Sequence, residues 1–221
     1  VCHDLRMISV NTPPVQVAGR SIVDPTAELV AYGQRHHSTI DRYDLSGAGE
    51  PDSLTLVEVA RTRVIASRIS HAEAAWFVEH ARSAPWRDVP LDADLASADP
   101  ADTDGLYDAA SRLYEHFRAT APSGISTAKL HKVLHLKRPA LFPILDSHLL
   151  AVYRDMATVA AGHYVERRAR RMYWAAVRED LLRDENQRAL AIARATLSAW
   201  STSDASGDAR VRAMASLTDL R

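Results

Sequence analysis

Cysteine is almost missing from this chain: Cys2 stands alone among 221 residues. One thiol forms neither an internal disulfide nor the ligand set of an iron–sulfur cluster, and its scarcity suits a reducing cytoplasm. Long apolar runs are missing too. None approaches the roughly 20 residues that a membrane span requires. The first residues, Val1 to Arg6, do not have the charged-then-apolar order of a signal peptide. Excess charge of one sign is also absent. The formal net charge is −1, so no global basic field draws the chain onto nucleic acid, and any such contact has to use a local patch. There is no internal repeat and no low-complexity tract.

What is present reads as a globular helical protein. Hydrophobic residues make up 47% and charged residues 25%, too apolar a mixture for disorder. The length is enough to bury a real core. An Ala- and Arg-rich vocabulary favours helix. Residues 1–23 contain Pro13 and Pro14, have no helical period and are read as an irregular arm. Asp24-Pro25 then opens a helix expected to reach about Tyr43. Thr55 with Glu58 and Ser70 with Glu73 are capping boxes. Arg61 to Ile69 is ambiguous between strand and helix, with helix favoured by its flanks. Trp86 to Asp104 reads as a long surface loop. Leu106 to Thr120 is a clear amphipathic helix.

Downstream, helices are expected over about Ser147 to Tyr153, His163 to Arg183 and Asn186 to Trp200, with another starting near Val211 beyond a small-polar linker at Ser201 to Asp208. The expectation is an all-α, single-domain bundle of about nine helices over residues 24–221.

Residues Ser123 to His148 are the most informative segment. A turn at Gly124 leads into a basic helix, Pro139 stops it, and an apolar run from Leu141 to Leu145 delivers Asp146 at the start of the next helix. No other segment combines a tight turn, clustered cations and an acid in apolar surroundings. Apolar surroundings raise a carboxyl pKa, and a helix N-terminus pulls it the other way. Asp146 before Ser147 is in any case a good N-cap.

The order of these elements resembles the helix-hairpin-helix base-excision DNA glycosylases. Pro122, Gly124 and Ile125 match the hairpin of that superfamily. Lys129 matches the lysine of its bifunctional members, and Pro143 to Leu149 matches the segment around its invariant Asp. Arg154 lies where those enzymes often carry an Arg. The likeness covers about 35 residues. Where the hairpin has a second glycine, which lets backbone N–H groups approach a DNA phosphate, this chain has Ser126. The resemblance implies a helix-hairpin-helix fold and cleavage or binding of an N-glycosidic substrate. Asp146 would stabilise an oxocarbenium-like sugar or activate water, and Lys129 would be the amine nucleophile, with Lys132 as its alternative. From Leu54 onward the wording also resembles a family of uncharacterised proteins from high-GC bacteria, which implies no function.

Two cationic clusters complete the candidates. Lys132, Lys137 and Arg138 form one basic face. Arg167, Arg168, Arg170 and Arg171 form a denser one, with Tyr173 and Trp174 adjoining it. Each is read either as a solvated face or as a phosphate contact, with base stacking on the aromatics. His131 and His135 have the i, i+4 spacing that chelates a metal, and only His148 offers itself as a third ligand. No metal and no cofactor are expected. The expected partner is DNA or a nucleoside-like small molecule. The alternative is a non-catalytic helical binding or scaffold protein.

Overall fold

The structure, a computed structural model, describes residues 12–47 and 49–203. Among them are nine α-helices and one two-stranded antiparallel sheet. The chain is therefore mostly helical, as composition and periodicity require.

Local signals account for most helix starts. Helix α1 (Pro25–Tyr43) begins where Asp24 accepts from the Ala27 N–H at 2.9 Å. Helices α2 (Leu56–Arg61) and α3 (His71–Ala81) open on complete capping boxes, Thr55 with Glu58 and Ser70 with Glu73. Helix α4 (Leu106–Arg118) follows the long loop, and the Gly124 turn joins it to α5 (Thr127–Lys137). Ser126 caps α5, and Arg138 ends it just before Pro139, whose ring cannot continue the helix. Asp146 caps α6 (Ser147–Val152), which leads into α7 (Arg154–His163). Helices α8 (Tyr173–Leu182) and α9 (Asp184–Ser203) finish the described fold.

Three expectations are corrected. The segment read as an irregular arm contains a β-hairpin, β1 (Val15–Val17) with β2 (Arg20–Ile22), Val15 facing Ile22 and Val17 facing Arg20. Ala18 and Gly19 make its turn at φ 52° and 73°, the positive-φ pair of a tight hairpin. Contacts far along the chain hold it. Asn186 accepts from the Gln16 N–H and donates to the Gln16 carbonyl, both at 2.7 Å, while Asp180 accepts from the Ala18 N–H at 2.7 Å.

The second correction concerns the long basic helix expected over His163 to Arg183. It breaks into α7, a 3-10 turn at Val165–Arg167 and α8, with Arg168 left-handed at φ 50°. Arg167 explains the break. Its guanidinium pairs with Asp108 and donates to the carbonyls of Pro100 and Asp102, bonds that fix the turn against the loop before α4. Arg61 to Ile69 is likewise no continuous helix, because a 3-10 turn at Thr62–Ile65 ends at left-handed Ala66. The linker expected from Ser201 is helical over Ser201 to Ser203, where α9 continues past the expected end at Trp200; the rest of that linker, the final helix expected near Val211 and Cys2 lie outside the described residues.

Two apolar clusters form the interior. The larger gathers Val59, Phe77, Leu113, Phe117, Leu130 and Phe142 from α2 to α5 and the apolar run beyond. Burying each Phe or Leu contributes about 1.5–3 kcal/mol. The smaller is built from Ala157, Ala160 and Ala161 of α7 against Ala175 and Ala176 of α8, where small side chains let the two backbones approach. Tyr107 and Val177 pack against both clusters.

Candidate functional site

An open cleft of about 460 Å³ lies where the two clusters meet. One stripe of α4 forms a wall: Tyr107, Ser111, Tyr114, Glu115 and Arg118 share a face at helical spacing. Thr127 and His131 come from α5, Leu145 and Leu150 flank the α6 start, and Arg171 to Trp174 open α8.

Aromatic rings dominate the interior. Tyr114 meets Trp174 edge-on at 5.4 Å and 88°, and Tyr107 meets Trp174 at 6.0 Å and 69°. His131 fixes this arrangement. Its Nδ1 lies 2.9 Å from the Thr127 carbonyl oxygen, and its Nε2 lies 3.0 Å from the Trp174 indole N–H. The carbonyl only accepts and the indole only donates, so the proton sits on Nδ1 and Nε2 carries the lone pair. Burial disfavours the imidazolium and pulls the His131 pKa down to about 4. A neutral His131 with its lone pair engaged is a structural strut, not a base. Burial pushes the Tyr107 hydroxyl up to about 12, so it stays protonated.

Charge sits at the rim. The Arg118 Nε donates to both Glu115 oxygens, at 2.9 and 3.0 Å, leaving its Nη groups directed elsewhere. Arg171 is exposed and makes no ion pair or hydrogen bond among the described residues. Neighbouring cations are committed. Arg167 is tied to Asp108, and Arg178 donates to Asp99 and to the Ala96 carbonyl.

The residues singled out from sequence divide sharply. Asp146 is half-buried, and its Oδ1 accepts from the Leu149 N–H at 2.9 Å. It stands beside the cleft between Leu145 and Leu150 rather than in the wall. Lys129 does not reach Asp146 in any bond. Its ammonium pairs with Glu73 at 2.7 Å and donates to the Gly124 carbonyl at 2.9 Å. The Glu73 carboxylate lies so close to Gly124 that a Cβ there would overlap Oε1. The Gly124 turn therefore already faces a carboxylate, supplied by α3. Burial pushes the Glu73 pKa up, but Lys129 and Ser70 outweigh it and hold the group below its usual value.

Lys137 and Arg138 correct the idea of a basic face. Lys137 is buried against Glu58, and Arg138 donates to the Val89, Pro51 and Trp86 carbonyls and pairs with Asp52. Neither is presented to a phosphate. Lys132 spends its ammonium on the Ile65 carbonyl at 2.7 Å. Ser126 accepts from the Lys129 N–H. His148, Arg154, Arg168 and Arg170 are exposed, and none lines the cleft. His135 turns its Nδ1 to the Phe142 carbonyl at 2.8 Å, and His131, with both ring nitrogens engaged, has no lone pair to offer a metal beside it. No group of three or more metal-ligating side chains occurs among the described residues.

Sequence reading missed the α4 stripe. Tyr107, Ser111, Tyr114 and Arg118 recur at the same spacing as the core stripe beside them, and that polar-aromatic recurrence was the available signal. No helix among the described residues is long and apolar enough to cross a membrane. No curated protein and no solved structure matches the chain. The profile of a family of unknown function (DUF6308) matches residues 30–215, most of the sequence, and the chain belongs to that family.

Proposed function

We propose that the protein binds a nucleoside-like small molecule in the cleft between α4, α5 and α8. The observation that carries this reading is the set of four rings, Tyr107, Tyr114, Tyr173 and Trp174, lining one open cleft of about 460 Å³. That volume suits a compact ligand, since small-molecule sites run to about 300–1,000 Å³. Rings provide stacking for a planar base. Duplex DNA is disfavoured as the ligand, because Lys129, Lys132, Lys137, Arg138 and Arg167 all spend their charge inside the molecule. Saturation-transfer nuclear magnetic resonance with the common nucleosides tests the reading. Binding by wild type that is lost in Tyr114→Leu, with melting temperature preserved, supports it. No transfer to any nucleoside overturns it.

A catalytic version keeps one specific support: Asp146 follows the cleft residue Leu145 in sequence and commits only Oδ1 to its cap. In that version the carboxylate stabilises an oxocarbenium-like sugar as a base departs, as the likeness to helix-hairpin-helix glycosylases implies. Lys129 is not its nucleophile while Glu73 holds the ammonium. A panel of damaged-base duplexes and free nucleosides, incubated with wild type and Asp146→Asn, separates the two versions. Base release that vanishes in the variant supports catalysis. No release by either folded protein leaves binding alone.

A further inference from the structure

We infer that the cleft's ligand is a nucleoside 5′-monophosphate, its base against Tyr114 and Trp174 and its phosphate between Arg118 and Arg171. The inference rests on the reading of the cleft as a nucleoside site and adds the charge of what enters it. The argument begins with a census of the wall. Arg118 and Arg171 are its cations and Glu115 is its carboxylate, so the rim carries a net positive charge on a chain whose own net charge is −1.

Commitment distinguishes these two arginines from those around them. Arg167 donates to Asp108 and two carbonyls, Arg178 to Asp99 and one carbonyl, and Arg138 to a carboxylate and several carbonyls. Arg118 gives only Nε to Glu115, and Arg171 gives nothing to the described residues. A guanidinium fork with free Nη groups matches the oxygens of a phosphate two at a time.

Polarity is graded along the cleft. The rings are half-buried, whereas the Arg118 side chain is 60% exposed. An apolar, planar end therefore goes in and a charged end stays at the mouth. Glu115 lies between, 53% exposed, and a carboxylate there accepts from the hydroxyls of a ribose. A carboxylic acid would present one charge to two guanidinium groups; a phosphate monoester presents close to two.

Isothermal titration calorimetry at low ionic strength tests this with adenosine, guanosine, cytidine and uridine, their 5′-monophosphates, and inorganic phosphate alone. At least one monophosphate should bind about tenfold or more tightly than its own nucleoside. Arg118→Gln and Arg171→Gln should each erase most of that gain, with melting curves confirming that both variants fold. Equal affinity of a nucleoside and its monophosphate overturns the inference while the nucleoside reading stands. Inorganic phosphate bound as tightly as the nucleotide also overturns it, because the rings then contribute nothing. Binding of none of the probes overturns both.

Discussion

The imidazole of His131 is held from both sides, by a carbonyl that needs its proton and an indole that needs its lone pair. Its protonation is therefore coupled to folding. The folded pKa of about 4 lies below the imidazole's ordinary value of 6.5. Above 6.5 both states are neutral and the stability is complete. As pH falls toward 4, the unfolded chain takes up a proton that the folded one refuses, and stability drains away. The shift corresponds to roughly 3 kcal/mol across that window. Denaturant midpoints should thus fall as pH is lowered from 6.5 to about 4, with a smaller fall in His131→Gln. His135, its pKa also lowered by burial, retains its own share. The same slope in variant and wild type would remove His131 from the account. Asp146 gives a second prediction. Its cap to Leu149 makes Asp146→Ala cost about 1 kcal/mol and Asp146→Asn much less, since Asn caps as well. Equal large losses of melting temperature would make the charge, rather than the cap, the requirement.

Helices and turns carry their own tests. Gly124→Ala drives a Cβ onto the Glu73 carboxylate and disturbs the Lys129 pair that joins α3 to α5. It should cost roughly 1–3 kcal/mol, and the loss should shrink in the Glu73→Ala background, as a double-mutant cycle would measure. At the other end, Asn186→Ala removes the clamp on Gln16. Hydrogen exchange at the Gln16 and Ala18 amides should accelerate while helix content by circular dichroism stays constant. Elements of this kind mark the limit of what sequence discloses. Caps at Asp24, Thr55, Ser70, Ser126 and Asp146 are local chemistry, so those helix starts were legible. The hairpin and the break at Arg168 depend on Asp180, Asn186 and Asp108, far along the chain, and no local pattern announces them. Lys137 and Arg138 looked like a solvated face because Glu58 and Asp52, their partners, lie 79 and 86 residues away. Within the cleft, Arg171, Tyr173 and Trp174 stood out in sequence, whereas the α4 stripe was hidden beside the core face.

At the scale of the whole molecule, the two basic clusters keep part of their charge inside: Lys137 and Arg138 are buried, and Lys132 and Arg167 are bonded within the fold. Of the seven cations in the two basic clusters, Arg168, Arg170 and Arg171 are exposed. At about −0.9 per phosphate contact, three contacts give a log–log salt slope no steeper than about −3 on duplex DNA. Fluorescence anisotropy across a salt series should show weak binding at most, abolished when those three become glutamine; a much steeper slope would mean that cations outside this cluster contact the phosphates. The tethers at the chain's two ends also set an order of events. Gln16 leaves the ribosome 170 residues ahead of Asn186, the residue that clasps it. At about 5–20 residues per second, that interval lasts roughly 10–30 s. Throughout it the hairpin segment is synthesised but lacks its anchors, while α1 to α5 emerge in turn and become able to collapse. Strand β1 is thus made well before the contacts that secure it. A nascent chain halted before Asp184 should leave residues 15–22 open to protease, while one extended past α9 should protect them.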